Sequence, residues 1–159
     1  MVAEIVEQWA TELPDLDATP LLVAGRVLRV AHLLDAALRP PFAETGLGNG
    51  DFDVLTALRR AGAPYELRPS QLSRQMLVTT GAVTKRVDRL LEQGHVERRG
   101  SEDDGRGRPV RLTASGLAFV DRMIEVHLAN LDRLLDALDT DERTALGELL
   151  GTLALTLEA

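Results

Sequence analysis

Residues 69–113 read PSQLSRQMLVTTGAVTKRVDRLLEQGHVERRGSEDDGRGRPVRLT, and this stretch decides the fold. Apolar positions recur every three or four residues in its first half, which predicts two short helices. Gly94 is typical of the residue that ends a helix in the left-handed conformation. Beyond it, His95–Ser101 is predicted to pair with Pro109–Thr113 as a two-stranded hairpin with arginines at its tip. Two helices followed by such a hairpin indicate a winged helix-turn-helix.

The second of these helices has an outer surface that suits insertion into a DNA major groove. Small residues at its start allow close approach, threonine can contact a thymine methyl group or a phosphate, and lysine or arginine can donate to guanine. An ordinary solvated helix face is the alternative, and the neighbouring helix and hairpin favour DNA. The DNA-contacting residues predicted on the helices are Ser70, Thr79, Thr80, Gly81, Ala82, Thr84, Lys85, Arg86 and Arg89.

The tip of the hairpin adds two further candidate DNA contacts, Arg106 and Arg108. Both are flanked by glycines, and a guanidinium group suits a narrow minor groove with its strong negative potential. Simple solvation would explain a lone arginine at a loop tip, but the position of this loop after the two helices favours a wing.

The charge is distributed in a way that supports this interpretation. The formal net charge is −7, yet residues 79–113 carry +2 and the remainder carries −9. An acidic body with one basic element can approach DNA with a single face and repel it with the others.

The rest of the chain is predicted to be helical. Apolar stripes indicate a short helix that ends before Pro14, a helix at Leu21–Leu38, one after the turn at Gly48–Gly50, and two leucine-rich helices capped by Thr113 and Thr140. The stripe at Leu21–Leu38 is wide enough to need cover on more than one side, which a dimer partner could supply. The expected fold class is mainly α with a small β wing, and the predicted division is 1–45 for the N-terminal helices of a dimerisation lobe, 46–113 for the winged helix-turn-helix, and 114–159 for the C-terminal helices of that lobe.

The sequence offers little support for an enzyme or a metalloprotein. It contains no cysteine and only three widely spaced histidines, and it lacks phosphate-binding loops and paired-carboxylate signatures. We therefore predict no catalytic residue, no metal site and no cofactor. The first residues are acidic, unlike a leader peptide, and no apolar run is long enough to span a bilayer, so we expect a cytoplasmic protein without membrane contact.

These motifs resemble the MarR family of bacterial transcriptional regulators. The resemblance lies in TTGAVTKRVDRLLEQG at residues 79–94, in HVERR at residues 95–99, in the wing pattern of Asp104 and Arg106, and in VRLT at residues 110–113 followed by Gly116. It covers about residues 20–157. It implies a homodimer that binds double-stranded DNA at a palindromic operator, usually as a repressor released by a ligand. Gly105 departs from the family, which often has a second basic residue there.

A closer similarity is to the urate-responsive HucR and PecS type within that family, through LRRAGAPYELRPSQLSR at residues 58–74 and an N-terminal extension with a tryptophan. The resemblance implies that Trp9, Asp53, Arg86 and Arg98 surround a small anionic aromatic effector such as urate. Each residue also has a structural interpretation: Trp9 as an anchor of its helix, Asp53 as a first-turn acid, Arg86 as a DNA contact and Arg98 as a surface residue. A different carboxylate or aromatic ligand, or a winged helix that binds protein instead of DNA, remains open.

Overall fold

A computed structural model describes residues 1–76, 79–100 and 107–158 of the chain, without the side chains of residues 41, 43, 44 and 80. The helices are α1 (Val2–Glu12), α2 (Pro20–Leu38), α3 (Asn49–Arg60), α4 (Pro69–Met76), α5 (Thr80–Glu92), α6 (Ala114–Leu134) and α7 (Thr140–Glu158), with a 3₁₀ helix at Pro40–Thr45. The strands are β1 (Glu66–Leu67), β2 (Val96–Arg98) and β3 (Val110–Leu112). The predicted fold class, mainly α with a small β wing, is confirmed.

The sheet has one strand more than the predicted hairpin. β3 lies in the middle and pairs antiparallel with both neighbours, opposing Glu97 with Arg111 on one side and Glu66 with Arg111 on the other. β1 lies within YELR at residues 65–68, where the alternation of side chains indicates a short strand. It therefore ties the first helix of the helix-turn-helix to the base of the wing.

The ends of the helices show which predicted caps form. Thr79, which by sequence is a candidate cap together with Thr80, caps α5 by accepting from the Ala82 N–H. Thr113 caps α6, as predicted, by accepting from the Gly116 N–H. The Thr140 cap is wrong, because Asp139 and Glu142 form a reciprocal capping box ahead of α7 with two bonds of 2.9 Å. Ser70 is by sequence a good candidate for the N-cap of α4, but this prediction is wrong, because the helix starts at Pro69 and the Gln71 side chain accepts from the Arg68 N–H instead.

The described chain divides into two compact units, Met1–Asn49 and Gly50–Ala159. The second unit holds a core of buried side chains from α3, α4, α5, α6 and the sheet. Its members include Phe52, Val54, Leu55, Leu58, Leu72, Val83, Val87, Leu90, Val96, Val110, Leu112 and Val120. The C-terminal helices share this unit with the winged helix, and the predicted three-part division stays a prediction.

The junction from α5 through the sheet to α6 is tightly built. Gly94 has φ +72°, and the N–H groups of Gly94 and His95 bond back to the carbonyls of Leu91 and Leu90, as in a Schellman motif. Thr113 Oγ1 then donates to the Gly94 carbonyl at 2.7 Å. The end of α5 is thereby fixed to the start of α6.

Gly116 provides a stability test of this junction. A Cβ atom at Gly116 would overlap the backbone of His95, lying 2.8 Å from its carbonyl carbon, and backbone cannot move aside cheaply. We expect Gly116→Ala to lower the free energy of unfolding by about 3 kcal/mol, measured by urea denaturation at constant protein concentration. Gly151→Ala, where a Cβ would meet nothing within 4 Å, is the matched control; equal stability of the two variants would contradict the packing described.

Candidate DNA-binding and effector site

Helix α5 is the second helix of the helix-turn-helix and the candidate recognition helix for DNA, and it presents a polar outer face. Val83, Val87 and Leu90 are buried against the core, and this stripe places most of the predicted DNA contacts outside. The exposed members are Thr79, Gly81, Thr84, Lys85 and Arg89, together with Ser70 on α4, whereas Ala82 is partly buried. The geometry leaves this face available to a groove.

Arg86 does not follow that arrangement. Its side chain is only 24% exposed, and its Nη1 atom lies 4.0 Å from Asp53 Oδ2 on α3. Its guanidinium group occupies the space beside Gly50, where an added Cβ would lie 2.6 Å from Nε. The predicted position of Arg86 on the outer surface is therefore wrong, because the side chain flanks the buried stripe and turns toward the first turn of α3.

Asp53 has an exposed side chain and a raised pKa. Its side chain is 61% exposed, yet the pKa of its carboxyl group is raised, mainly by partial desolvation, which outweighs the lowering effects of Arg86, His127 and Arg60. Asp53 therefore accepts a proton more readily than an ordinary aspartate. A carboxyl group of this kind can donate a hydrogen bond to an anion when it is protonated.

A second arginine of α5 also contacts the start of α3. Arg89 Nη2 lies 3.3 Å from Asp51 Oδ1, and the Asp51 side chain is only 2% exposed. Arg86 and Arg89 are separated by one helical turn, so both reach the first turn of α3. Arg89 remains 52% exposed, and its DNA contact stays a prediction.

The other two predicted effector residues belong to two other elements, β2 and α1. Arg98 follows the recognition helix on β2, and its Nη2 atom donates to Asp88 Oδ1 at 2.6 Å. Trp9 lies on α1 in the first unit and is 42% exposed. The structure thus brings Asp53 and Arg86 together and joins Arg98 to the same helix through Asp88, while the role of Trp9 stays a prediction.

The wing is described only at its base. Arg108 is partly exposed there, and Arg68 Nη1 donates to the Gly107 carbonyl at 3.3 Å. Arg106 and the side chain of Thr80 lie outside the described residues, so their predicted DNA contacts stay predictions. The Arg68 bond anchors the wing base to the start of α4.

Gly50 and Asp51 also belong to this arrangement, and the local sequence pattern does not reveal it. Both lie where α3 begins, so the sequence indicates a turn glycine at Gly50 and, at Asn49 or Asp51, a candidate helix cap. The available signal was the spacing of Arg86 and Arg89, which places two cations on one side of α5. No local pattern shows which acidic residue they would meet.

The described parts of the chain contain no cluster of three metal-ligating side chains. Within the same residues, every helix is too short or too polar to cross a membrane.

Comparison with known proteins identifies the class. The sequence model of the MarR family matches residues 45–107, and the HTH-type transcriptional regulator PecS of Dickeya dadantii (strain 3937) is 40% identical over 150 residues, which cover 94% of this chain and 90% of that protein. The chain belongs to the MarR family. This confirms the resemblance seen in the sequence, and because MarR proteins are transcriptional regulators, the chain is a regulator and not an enzyme.

Two solved MarR structures resemble the chain closely. Sco3205 from Streptomyces coelicolor, in complex with DNA, superposes with a TM-score of 0.80 at 25% identity and 91% coverage of each chain. A mutant of MarR from E. coli, complexed with operator DNA, gives 0.72 at 26% identity, covering 91% of this chain and 96% of that one. The winged-helix architecture is therefore shared with regulators solved on DNA.

Proposed function

We propose that this MarR-family protein is a homodimeric repressor that binds a palindromic operator and is released from it by urate or a related anionic purine. The observation that carries the proposal is the position of Arg86, which belongs to the recognition helix but turns its guanidinium group toward Gly50 and Asp53. Arg86 then belongs both to the helix that binds DNA and to the effector site. Such a regulator acts in the cytoplasm, where bacterial DNA lies.

Binding to DNA is supported by the exposed face of α5 and by the two related structures that contain DNA. In a dimer, two recognition helices enter successive major grooves roughly 34 Å apart. Thr84 and Lys85 on the exposed face of α5 would contact bases and phosphates, and Arg106 and Arg108 would reach the flanking minor grooves.

Dimerisation is supported by apolar surface that the described chain leaves uncovered. α1, α2 and α7 contain no buried residue, and α7 exposes leucines at helical spacing, among them Leu146, Leu149, Leu150, Leu153 and Leu157. Helices with this composition are stable in water when another surface covers them. A second copy of the chain is the partner that a palindromic operator requires.

The effector chemistry follows from Arg86, Asp53 and Arg98. A planar anion gains strong, directional hydrogen bonds from guanidinium groups. Asp53 can remain near that anion because its raised pKa eases protonation, which removes the repulsion between like charges. An anion that draws Arg86 into a new position changes the setting of α5, and the affinity for DNA falls with it.

The test uses a duplex selected by the wild-type protein from a random-sequence pool, followed by fluorescence anisotropy with and without urate. We expect a palindromic duplex, release by urate, and a weaker response in Arg98→Ala. Arg99→Ala is the matched control, since Arg99 is the neighbouring arginine and pairs with Glu97 at 3.7 Å instead of with Asp88. The emission of Trp9, the only tryptophan, reports whether that residue senses urate.

Each outcome separates the proposal from its alternatives. A wild-type protein that selects no duplex at low salt supports a winged helix that binds protein. A protein that selects a palindrome but shows no urate binding by calorimetry supports a different ligand.

A further inference from the structure

We propose that Asp51 and Arg89 form a positioning pair that holds the recognition helix in its DNA-binding orientation, and that Arg89 acts through Asp51 instead of through a direct DNA contact. The inference rests on the proposed function, because it explains how α5 is set for DNA. Its residues are distinct from the effector candidates Asp53, Arg86 and Arg98.

The burial of Asp51 is the first observation. Its side chain is 2% exposed and lies in the first turn of α3, next to the fully buried residues Val54 and Leu55. A carboxylate removed from water is costly unless a cation or hydrogen-bond donors compensate it. Arg89 is such a cation, with Nη2 at 3.3 Å from Oδ1.

The consequence for Arg89 is a competition between two anions. A DNA phosphate that drew the half-exposed guanidinium group away from Asp51 would separate a buried carboxylate from the cation beside it. Keeping the pair intact is the less costly arrangement. Arg89 then serves DNA binding by fixing the rotation of α5 against α3.

The two arginines, Arg86 and Arg89, differ in the burial of their aspartate partners. Arg86 faces an exposed aspartate, 61% accessible, across 4.0 Å, so its partner can be exchanged for a ligand at low cost. Arg89 faces a buried aspartate, so the loss of this partner is more costly. In this proposal, the Asp51–Arg89 contact stays in place when a ligand displaces Arg86, and α5 turns about it.

A double-mutant cycle with Asp51→Asn and Arg89→Met, read as affinity for the selected duplex, tests the pair. We expect each single variant to bind roughly tenfold more weakly and the double variant to bind no worse than either, because both remove one interaction. The slope of affinity against salt should stay at the wild-type value in all three. Lys85→Met is the control for a direct phosphate contact and should flatten that slope by about 0.9.

Arg89→Lys, which keeps the cation, should recover part of the affinity that Arg89→Met loses. Asp51→Asn binding as tightly as wild type, together with Arg89→Met flattening the salt slope as Lys85→Met does, would overturn the proposal and make Arg89 a direct contact. Additive losses in the double variant would overturn it as well. A wild-type protein that selects no duplex overturns the proposed function and the positioning role with it. Urea denaturation of the wild type, the two single variants and the double variant still reports whether Asp51 and Arg89 are coupled in stability.

Discussion

Replacing Gly50 with alanine is expected to abolish the response to urate without destabilising the protein. The added Cβ would overlap the Arg86 guanidinium group, lying 2.6 Å from Nε and 2.7 Å from Nη2. Because these atoms are the end of a flexible side chain, Arg86 can swing away at little cost, and alanine is the better helix former by up to about 1 kcal/mol. The proposed effector site would then lose its guanidinium group while the fold is kept.

The expected size of this effect comes from the coupling between ligand and DNA. We expect urate to lower wild-type affinity for the selected duplex by about tenfold or more, and to lower that of Gly50→Ala by less than about twofold. Anisotropy titrations at fixed salt measure both. Gly151→Ala, a helical glycine with open space around it, should respond as the wild type does.

The background variant Arg86→Met shows whether Gly50 acts through Arg86. Adding Gly50→Ala to Arg86→Met should change neither the urate response nor the DNA affinity further, because the clashing group is already absent. A full urate response in Gly50→Ala would show that the position of Arg86 beside Gly50 is irrelevant to the ligand.

The second large effect is expected at α7. Replacing Leu149 and Leu153 together with glutamate places two charges on the leucine stripe, where they are 70% and 38% exposed in the single chain. If a second copy covers this stripe, burial of the charges opposes association and the dimer dissociates. Sedimentation should then show a monomer, and operator affinity should fall at least about 100-fold, because the two half-sites are no longer bound together.

Thr144→Glu is the matched control for that change. Thr144 lies on the same helix, on the side opposite the stripe, and its hydroxyl group donates to the Thr140 carbonyl. The control should remain a dimer with unchanged affinity for the operator. A dimer that persists in the leucine double variant would place the interface elsewhere.

Local sequence patterns predicted most of the secondary structure. The apolar spacing of α5, the threonine caps of α5 and α6, and Gly94 after the helix depend on neighbours within a few residues. Such features follow from backbone hydrogen bonding, which adjacent residues determine. The Thr140 cap failed because Asp139, paired with Glu142, satisfies the same N–H groups better.

The side-chain partners of the candidate site were harder to predict. Arg86 flanks the buried stripe of α5, where a long side chain can reach either outward or toward α3, and periodicity does not choose between them. The Arg86 side chain turns toward α3 because Gly50, which has no side chain, leaves room there for the guanidinium group. Burial of Asp51 beside Arg89 likewise depends on packing between helices that are distant in the sequence.

The most direct test of the shared role of Arg86 is a calorimetric titration of urate into the protein, first free and then saturated with the selected duplex. Linkage requires that DNA weaken urate binding by the same factor by which urate weakens DNA binding. We predict equal factors of about tenfold or more in the wild type and no difference between the two titrations in Arg86→Met. If the free and the DNA-saturated wild-type protein bind urate equally well, Arg86 does not link the DNA-binding helix to the effector site.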